Sequence, residues 1–400
     1  MNATPGPTFA GLPTAEPGEI GLSPMALNRL TSSMEREIAR GRAPGAAMLI
    51  ARNGKVGFAQ AIGSLAPNGP MMSLDAIFRI YSMTKPIVSV AAMMLVEQGQ
   101  LLINDPLSKY IPAFAVASVG VENDGKLDLT PLKRPITIQD LMRHTSGITS
   151  GFTGNSAVQK LTLAANIANP ERTIAESVEA LAALPLQHQP GEVWEYGHST
   201  EVLGRVIEIV AGTRLGEFLQ ETIFAPLAMN DTAFYTPPAK LARRAEPFSF
   251  DMFKPIGIST NDATEPPRFE AGGGGLLSTI GDYARFLAML SGGGALDGVR
   301  ILGPRTIQFM ASDHLGPNVV KRHPLLWPGH GFGLGFCVRL ERGVAPTAGA
   351  IGEYFWGGVA GTAFWVSPSD TLFAILMTQA PEHREYFRQL FRNLVSAAIL

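Results

Sequence analysis

The sequence predicts an α+β protein in which one antiparallel sheet is assembled from both ends of the chain, with a largely helical segment inserted between them. Three observations predict it. Hairpin patterns occur near both termini, a helical pattern flanks each of them, and the residues between read mainly as helices and long loops. The expected division is a discontinuous sheet domain of residues 1–105 and 267–400, a mostly helical domain of residues 106–266, and a site at their seam.

Each element has a local reason. Residues 23–42 place Met25, Leu27, Leu30, Met34 and Ile38 at helical spacing, and Ser23 before Pro24 reads as an N-cap with proline at the first helical position. Residues 46–51 and 56–62 are extended runs joined at Asn53-Gly54, a dipeptide suited to the positive φ angles of a tight hairpin. Near the other end, residues 361–366 and 372–378 flank Ser367-Pro368-Ser369-Asp370, and a helical segment follows over 382–400. Between them, residues 82–98, 138–143, 174–183, 200–211 and 215–223 read as helices with few strands among them. The run Gly272 to Gly275 lacks the lysine of a phosphate-binding loop and reads as a strand bend. Thr279 and Asp282 then cap a helix over 283–290.

Composition narrows the function classes. With 32 Lys plus Arg against 34 Asp plus Glu, the chain offers no electrostatic argument for nucleic acid or an anionic membrane as partner, so a small, weakly charged substrate is expected. Cys337 stands alone, which allows no internal disulfide and fits a reducing compartment. Residues 1–19 lack the basic start and apolar stretch of a secretory signal and read as a loose arm, so a cytoplasmic location is expected. His144, His188, His314, His323, His330 and His383 show no ligand spacing, and neither metal nor cofactor is implied.

The sharpest chemical signal is Ser82-Met83-Thr84-Lys85 at the head of an apolar helical run. Residues three apart share a helix face, so Lys85 can set its amine beside the Ser82 hydroxyl. A serine hydroxyl becomes a nucleophile only when a neighbouring base takes its proton, and the helix N-terminus favours the anion that develops. The four-residue pattern is short enough to arise by chance, but it occurs once here. A second element, Trp194-Glu195-Tyr196 after the Pro190-Gly191 turn, offers a tyrosine for proton relay, although a lone tyrosine more often packs. The third, Phe355-Trp356-Gly357-Gly358-Val359, reads either as a strand edge that a substrate approaches or as a bulge. Gly197-His198-Ser199-Thr200-Glu201 is one residue short of a G-x-S-x-G elbow, but Glu201 replaces the glycine that makes the turn possible. Trp327, Phe332 and Phe336 lie among Pro and Gly and read equally as cleft lining or loop packing.

Taken together and in order, these elements resemble a known group. With Phe78-Arg79-Ile80-Tyr81, Asp105-Pro106-Leu107, the run Thr137 to Ile148, Pro226-Leu227-Ala228-Met229 and Gly272 to Leu277, the chain resembles β-lactamase-related serine hydrolases from about residue 46 to 379. It is most similar there to family VIII carboxylesterases, which share the β-lactamase/transpeptidase-like fold of class C β-lactamases. The resemblance implies Ser82 as acylated nucleophile, Lys85 as base and Tyr196 as second member of the acid/base pair. It also implies the backbone N–H groups of Ser82 and Val359 as oxyanion hole, with Trp356, Gly357, Gly358 and His198 at the substrate. Two departures from the lactamases stand out: Trp356-Gly357-Gly358 replaces K-T-G, as in the esterases, and His198 stands where class C enzymes carry asparagine, either holding substrate or packing. The expected function is hydrolysis of short-chain carboxylic esters. A lactamase or D,D-peptidase, an acyltransferase and a catalytically silent scaffold are the alternatives.

Overall fold

Period-2 alternation deals the side chains of two central strands into two separate cores. In Gly45–Arg52, Ala47, Leu49 and Ala51 enter the larger core while Ala46, Met48 and Ile50 enter a smaller one. Leu372–Thr378 repeats the pattern, with Phe373, Ile375 and Met377 on one side and Leu372, Ala374 and Leu376 on the other. These two strands pair antiparallel from Leu372 opposite Arg52 to Thr378 opposite Ala46, which joins the two ends of the chain. The computed structural model describes residues 7–400, apart from the side chain of Ile256.

The sheet has seven antiparallel strands in the spatial order His330–Phe332, Cys337–Arg339, Tyr354–Gly357, Ala363–Ser367, Leu372–Thr378, Gly45–Arg52 and Lys55–Gly63. At the first hairpin Asn53 and Gly54 have φ of 55° and 74°, the left-handed geometry its turn requires. The terminal helices Pro24–Ala39 and Arg384–Ser396 cover one face through Leu27, Leu30, Phe387 and Phe391. Ser23 caps the first, its hydroxyl accepting from Ala26 N at 3.3 Å. The other face carries Thr84–Glu97 and Ile280–Ser291, both buried on nearly all sides; the first is mostly apolar, and the second satisfies its buried Asp282 and Arg285 with hydrogen bonds. This is the β-lactamase/transpeptidase-like α+β architecture that the sequence led us to expect. Among the described residues, no helix is long and apolar enough to cross a membrane.

The structure corrects several local expectations. Ser82 does not open the α-helix; it sits in a 3₁₀ turn, Tyr81–Met83, and the helix begins at Thr84. Residues 215–223 divide into an α-turn, Leu215–Leu219, and a π-turn, Gln220–Phe224. A hairpin of Ser118–Asn123 and Lys126–Pro131 lies in the helical stretch, turning at Asp124 and Gly125 with φ of 47° and 77°. The arm is docked from residue 7 onward: Thr8–Phe9 pairs with Leu12–Pro13, Leu12 is buried, and Arg285 donates to Ala10 O at 2.9 Å; residues 1–6 lie outside the described residues. Thr279 caps its helix through Asp282 N, but the Asp282 carboxylate turns instead to Asp231 N and Thr232, so the reciprocal bond of a capping box is not made. Gly272 to Gly275 form a turn, not a strand bend, ahead of Leu277–Ser278.

Candidate active site

Ser82 is carried between two structures that hold it from either side. The preceding Phe78–Arg79 pairs with Leu277–Ser278, which lays the glycine turn beside the serine. The following helix places Lys85 within reach, and Lys85 Nζ donates to Gly273 O at 2.6 Å while standing 3.5 Å from Ser82 Oγ. Tyr81 takes φ of 44°, a left-handed value uncommon for a bulky residue, and its ring is fixed against Phe253 with its hydroxyl on Ser259 O.

Tyr196 arrives from a distant part of the chain. Its hydroxyl donates to Ser82 Oγ at 2.7 Å, nearer than the lysine, and Lys85 Nζ lies 4.6 Å from the Tyr196 ring centre. Backbone bonds from Glu195 N to His144 O and from His198 N to Thr149 O bind the Tyr196 segment to the stretch after helix Ile138–Met142. Gly197 lets the two chains touch, because a Cβ there would fall 2.5 Å from Ile148 O. Gly197→Ala is therefore expected to push Tyr196 away from Ser82, lowering both kcat and the melting temperature. Wild-type values for both would show that the contact yields at no cost.

An aromatic cluster fixes the tyrosine ring. Trp194 stacks on it at 6.0 Å and Trp356 leans on it at 5.5 Å, so Trp356 is largely buried against Tyr196 while lining the cavity. His144 packs 4.8 Å from Tyr196, and burial drives it well below the usual histidine range, which keeps it neutral. Phe332 and Phe336 belong to the core, whereas Trp327 lines the cavity.

Ser199 is fully buried and its hydroxyl shares a 2.8 Å hydrogen bond with Ser146, leaving it no access to substrate. His198 lines the cavity with Nδ1 3.7 Å from Glu201 Oε1. Sequence reasoning used Glu201 only against the elbow. In the fold its carboxylate lies behind Gly273; burial pushes it up, but His198 and the Lys85 charge outweigh burial and hold it below the usual range. The site thus contains a buried anion on the far side of the glycine that Lys85 contacts.

The backbone N–H groups of Ser82 and Val359 donate to no acceptor among the described residues, and both residues border the cavity. The glycines beside Val359 also meet close contacts within the protein. A Cβ on Gly357 would fall 2.6 Å from Arg388 Nη2, and one on Gly358 would strike Ile80 O, so their smallness is used by the protein itself. Gly357 also borders the cavity.

That cavity measures about 640 Å³. Its walls are largely apolar: Phe152, Leu163, Ile167, Phe234, Met252, Ile258, Phe269 and Leu325 all reach it from loops and helix ends. Sequence reasoning missed these residues because they sit in irregular segments where no periodicity marks them. Among the described residues, no cluster of side chains is suited to hold a metal ion.

The geometry thus joins a serine to a lysine and a tyrosine beside an apolar cleft, a set of groups with the chemistry a serine hydrolase requires. The Beta-lactamase family description matches residues 30–399, and the chain belongs to that family. It is similar to Protein Rv1367c of Mycobacterium tuberculosis, 36% identical over 78% of this chain and 79% of the relative. It is also similar to a lovastatin esterase of Penicillium rubens, 31% identical over 77% of this chain and 80% of that protein. Among solved structures it resembles EstCE1, described as a hydrolase with promiscuous acyltransferase activity, with a TM-score of 0.76, 25% identity and coverage of 92% and 98% of the two chains.

Proposed function

We propose that this protein is a carboxylesterase of the family VIII kind that forms an acyl-enzyme on Ser82. The observation that carries the reading is the contact of Ser82 Oγ with Tyr196 at 2.7 Å and Lys85 at 3.5 Å, opening onto an apolar cavity. Lys85 and Tyr196 act as one acid/base pair that must lack a single proton between them. For the transfer the bond between Ser82 and Tyr196 runs from Ser82 Oγ to an ionised tyrosine oxygen, so that as Ser82 Oγ attacks the acyl carbon its proton passes to that oxygen. The oxyanion settles on the N–H groups of Ser82 and Val359, and the pair returns the proton to the departing alkoxide. Water then repeats the sequence on the acyl-enzyme. The esterase relatives support the substrate class.

The cavity supports a wider range than short acyl chains. At about 640 Å³ it falls among pockets that take drug-sized ligands, so esters with a bulky apolar acyl or alcohol part fit as well as butyrate. Trp356 stands where lactamases place a cationic triplet, so an anionic substrate loses a charge-assisted bond worth about 1.5–3 kcal/mol, roughly tenfold to a hundredfold in rate. Neutral p-nitrophenyl esters are therefore expected to exceed a chromogenic cephalosporin in kcat/KM by at least about tenfold. Equal values for the two would make the protein a lactamase. Transfer to an alcohol is a second reading, favoured by the likeness to EstCE1. Added alcohols would then divert the acyl group to a new ester.

A further inference from the structure

We propose that Arg388, on the C-terminal helix, is a positioning residue that sets the Val359 N–H in place as an oxyanion donor. The inference rests on the reading of Ser82 and Val359 as the oxyanion donors. Val359 lies in a turn after strand Tyr354–Gly357, closed by Gly358 N to Thr362 O at 2.8 Å and Gly361 N to Gly358 O at 2.9 Å. Turns of this size flex unless something outside them holds their carbonyls. Arg388 Nη2 does so, donating to Gly358 O and, at 3.2 Å, to Thr362 O. Nη1 is held in turn by Glu385 Oε1 at 2.7 Å, and the guanidinium lies against Gly357, where a Cβ would fall 2.7 Å from Cζ.

The same turn is pressed onto the nucleophile segment. Thr362 Oγ1 donates to Ile80 O at 3.4 Å, and Gly358 has no side chain to hold it off that carbonyl. Ile80 is two residues before Ser82, so this contact gauges the gap between the two N–H donors. Arg388 completes the gauge by fixing the turn from behind. A planar guanidinium bridges two carbonyls while keeping a carboxylate, which a lysine ammonium on a flexible stem does poorly. Arg388 borders the cavity with both Nη groups engaged by protein and only its Nε, itself buried, without a partner, so the guanidinium is committed to the turn and to Glu385.

The test compares wild type, Arg388→Ala and Arg388→Lys with a neutral p-nitrophenyl ester. Loss of a whole oxyanion donor costs about a hundredfold to a thousandfold in kcat, so a displaced donor should cost roughly tenfold to a hundredfold. KM should stay within about threefold, since the oxyanion forms only in the transition state. Added methylguanidinium should restore part of the Arg388→Ala rate and leave wild type unaffected. Wild-type kcat in both variants, or an unchanged kcat with raised KM, would overturn the proposal. Should Arg388→Ala not fold, Arg388→Lys carries the same reading, and a wild-type kcat there is decisive against it. Labelling of wild type by a fluorophosphonate separates the two levels. Absence of label on Ser82 overturns the esterase reading itself, whereas normal labelling with undiminished Arg388 variants overturns this inference alone.

Discussion

Ser82→Ala is expected to abolish acyl-enzyme formation, removing the mass increment after brief incubation with an ester and all fluorophosphonate labelling. Lys85→Ala and Tyr196→Phe should each lower kcat by about a hundredfold to ten-thousandfold, the range that general acid/base catalysis supplies. The losses should not add in a double variant, because each group is useful only while the other holds the shared proton. The geometry makes Tyr196 the more sensitive of the two, since its oxygen is the one at 2.7 Å from Ser82 Oγ. Label persisting in Ser82→Ala, or moving to Ser199, would remove Ser82 as nucleophile. A near-normal kcat in either partner variant would break the pair.

The second large effect concerns stability. Asp140 is fully buried and gathers six hydrogen bonds from Arg134, Thr137, Arg143 and Thr145. It caps the helix Ile138–Met142 and anchors the segment on which the Tyr196 loop rests. Asp140→Asn takes the anion from Arg134 and Arg143, which are themselves partly exposed, a loss of about 1.5–3 kcal/mol, read as a lower denaturant midpoint. Its pH dependence has a definite sign. Burial pushes the Asp140 carboxyl up, but the hydrogen bonds of Arg134 and Thr137 outweigh it and hold the group below the usual carboxylate range. A depressed folded pKa contributes stability that is full above the ordinary value of about 3.9 and is lost as pH falls through the folded one. The gap between wild type and Asp140→Asn should thus be widest near neutral pH and close on acidification. A gap that stays constant down to the acid limit would show that the carboxylate charge is not what stabilises the segment.

What the sequence showed well was local. Asn53-Gly54 announced a hairpin because two consecutive left-handed residues need little else to turn a chain. The hairpin at Asp124-Gly125 carried the same kind of signal, and Val119, Val121, Leu127 and Leu129 alternate with polar residues or glycine along it, yet its strands are short, largely exposed and set among helical patterns, which masks the signal. The docked N-terminal arm left no such trace. Its contacts, Leu12 in the core and Arg285 on Ala10 O, join residues far apart in the chain, 275 positions for the second, and a Pro- and Gly-rich composition looks loose whether or not something receives it.

By itself, then, the sequence determined the class of fold and the pairing of Ser82 with Lys85, because period-2 and period-3.6 patterns and an i, i+3 spacing are properties of neighbouring residues. Tyr196 was legible only by resemblance, since nothing within its own segment says that it meets Ser82, 114 positions away. The tertiary structure alone decided that it arrives, through the Gly197 contact with Ile148 and the aromatic rings around it. It decided likewise that Ser199 is sealed against Ser146, that Gly358 lies against Ile80 O, and that Arg388 reaches the turn of Val359. The physical reason is common to all of these. A hydrogen bond or a close packing contact depends on which atoms lie within a few ångströms, and that distance is set by how the whole sheet and its helices pack, not by any residue's neighbours along the chain.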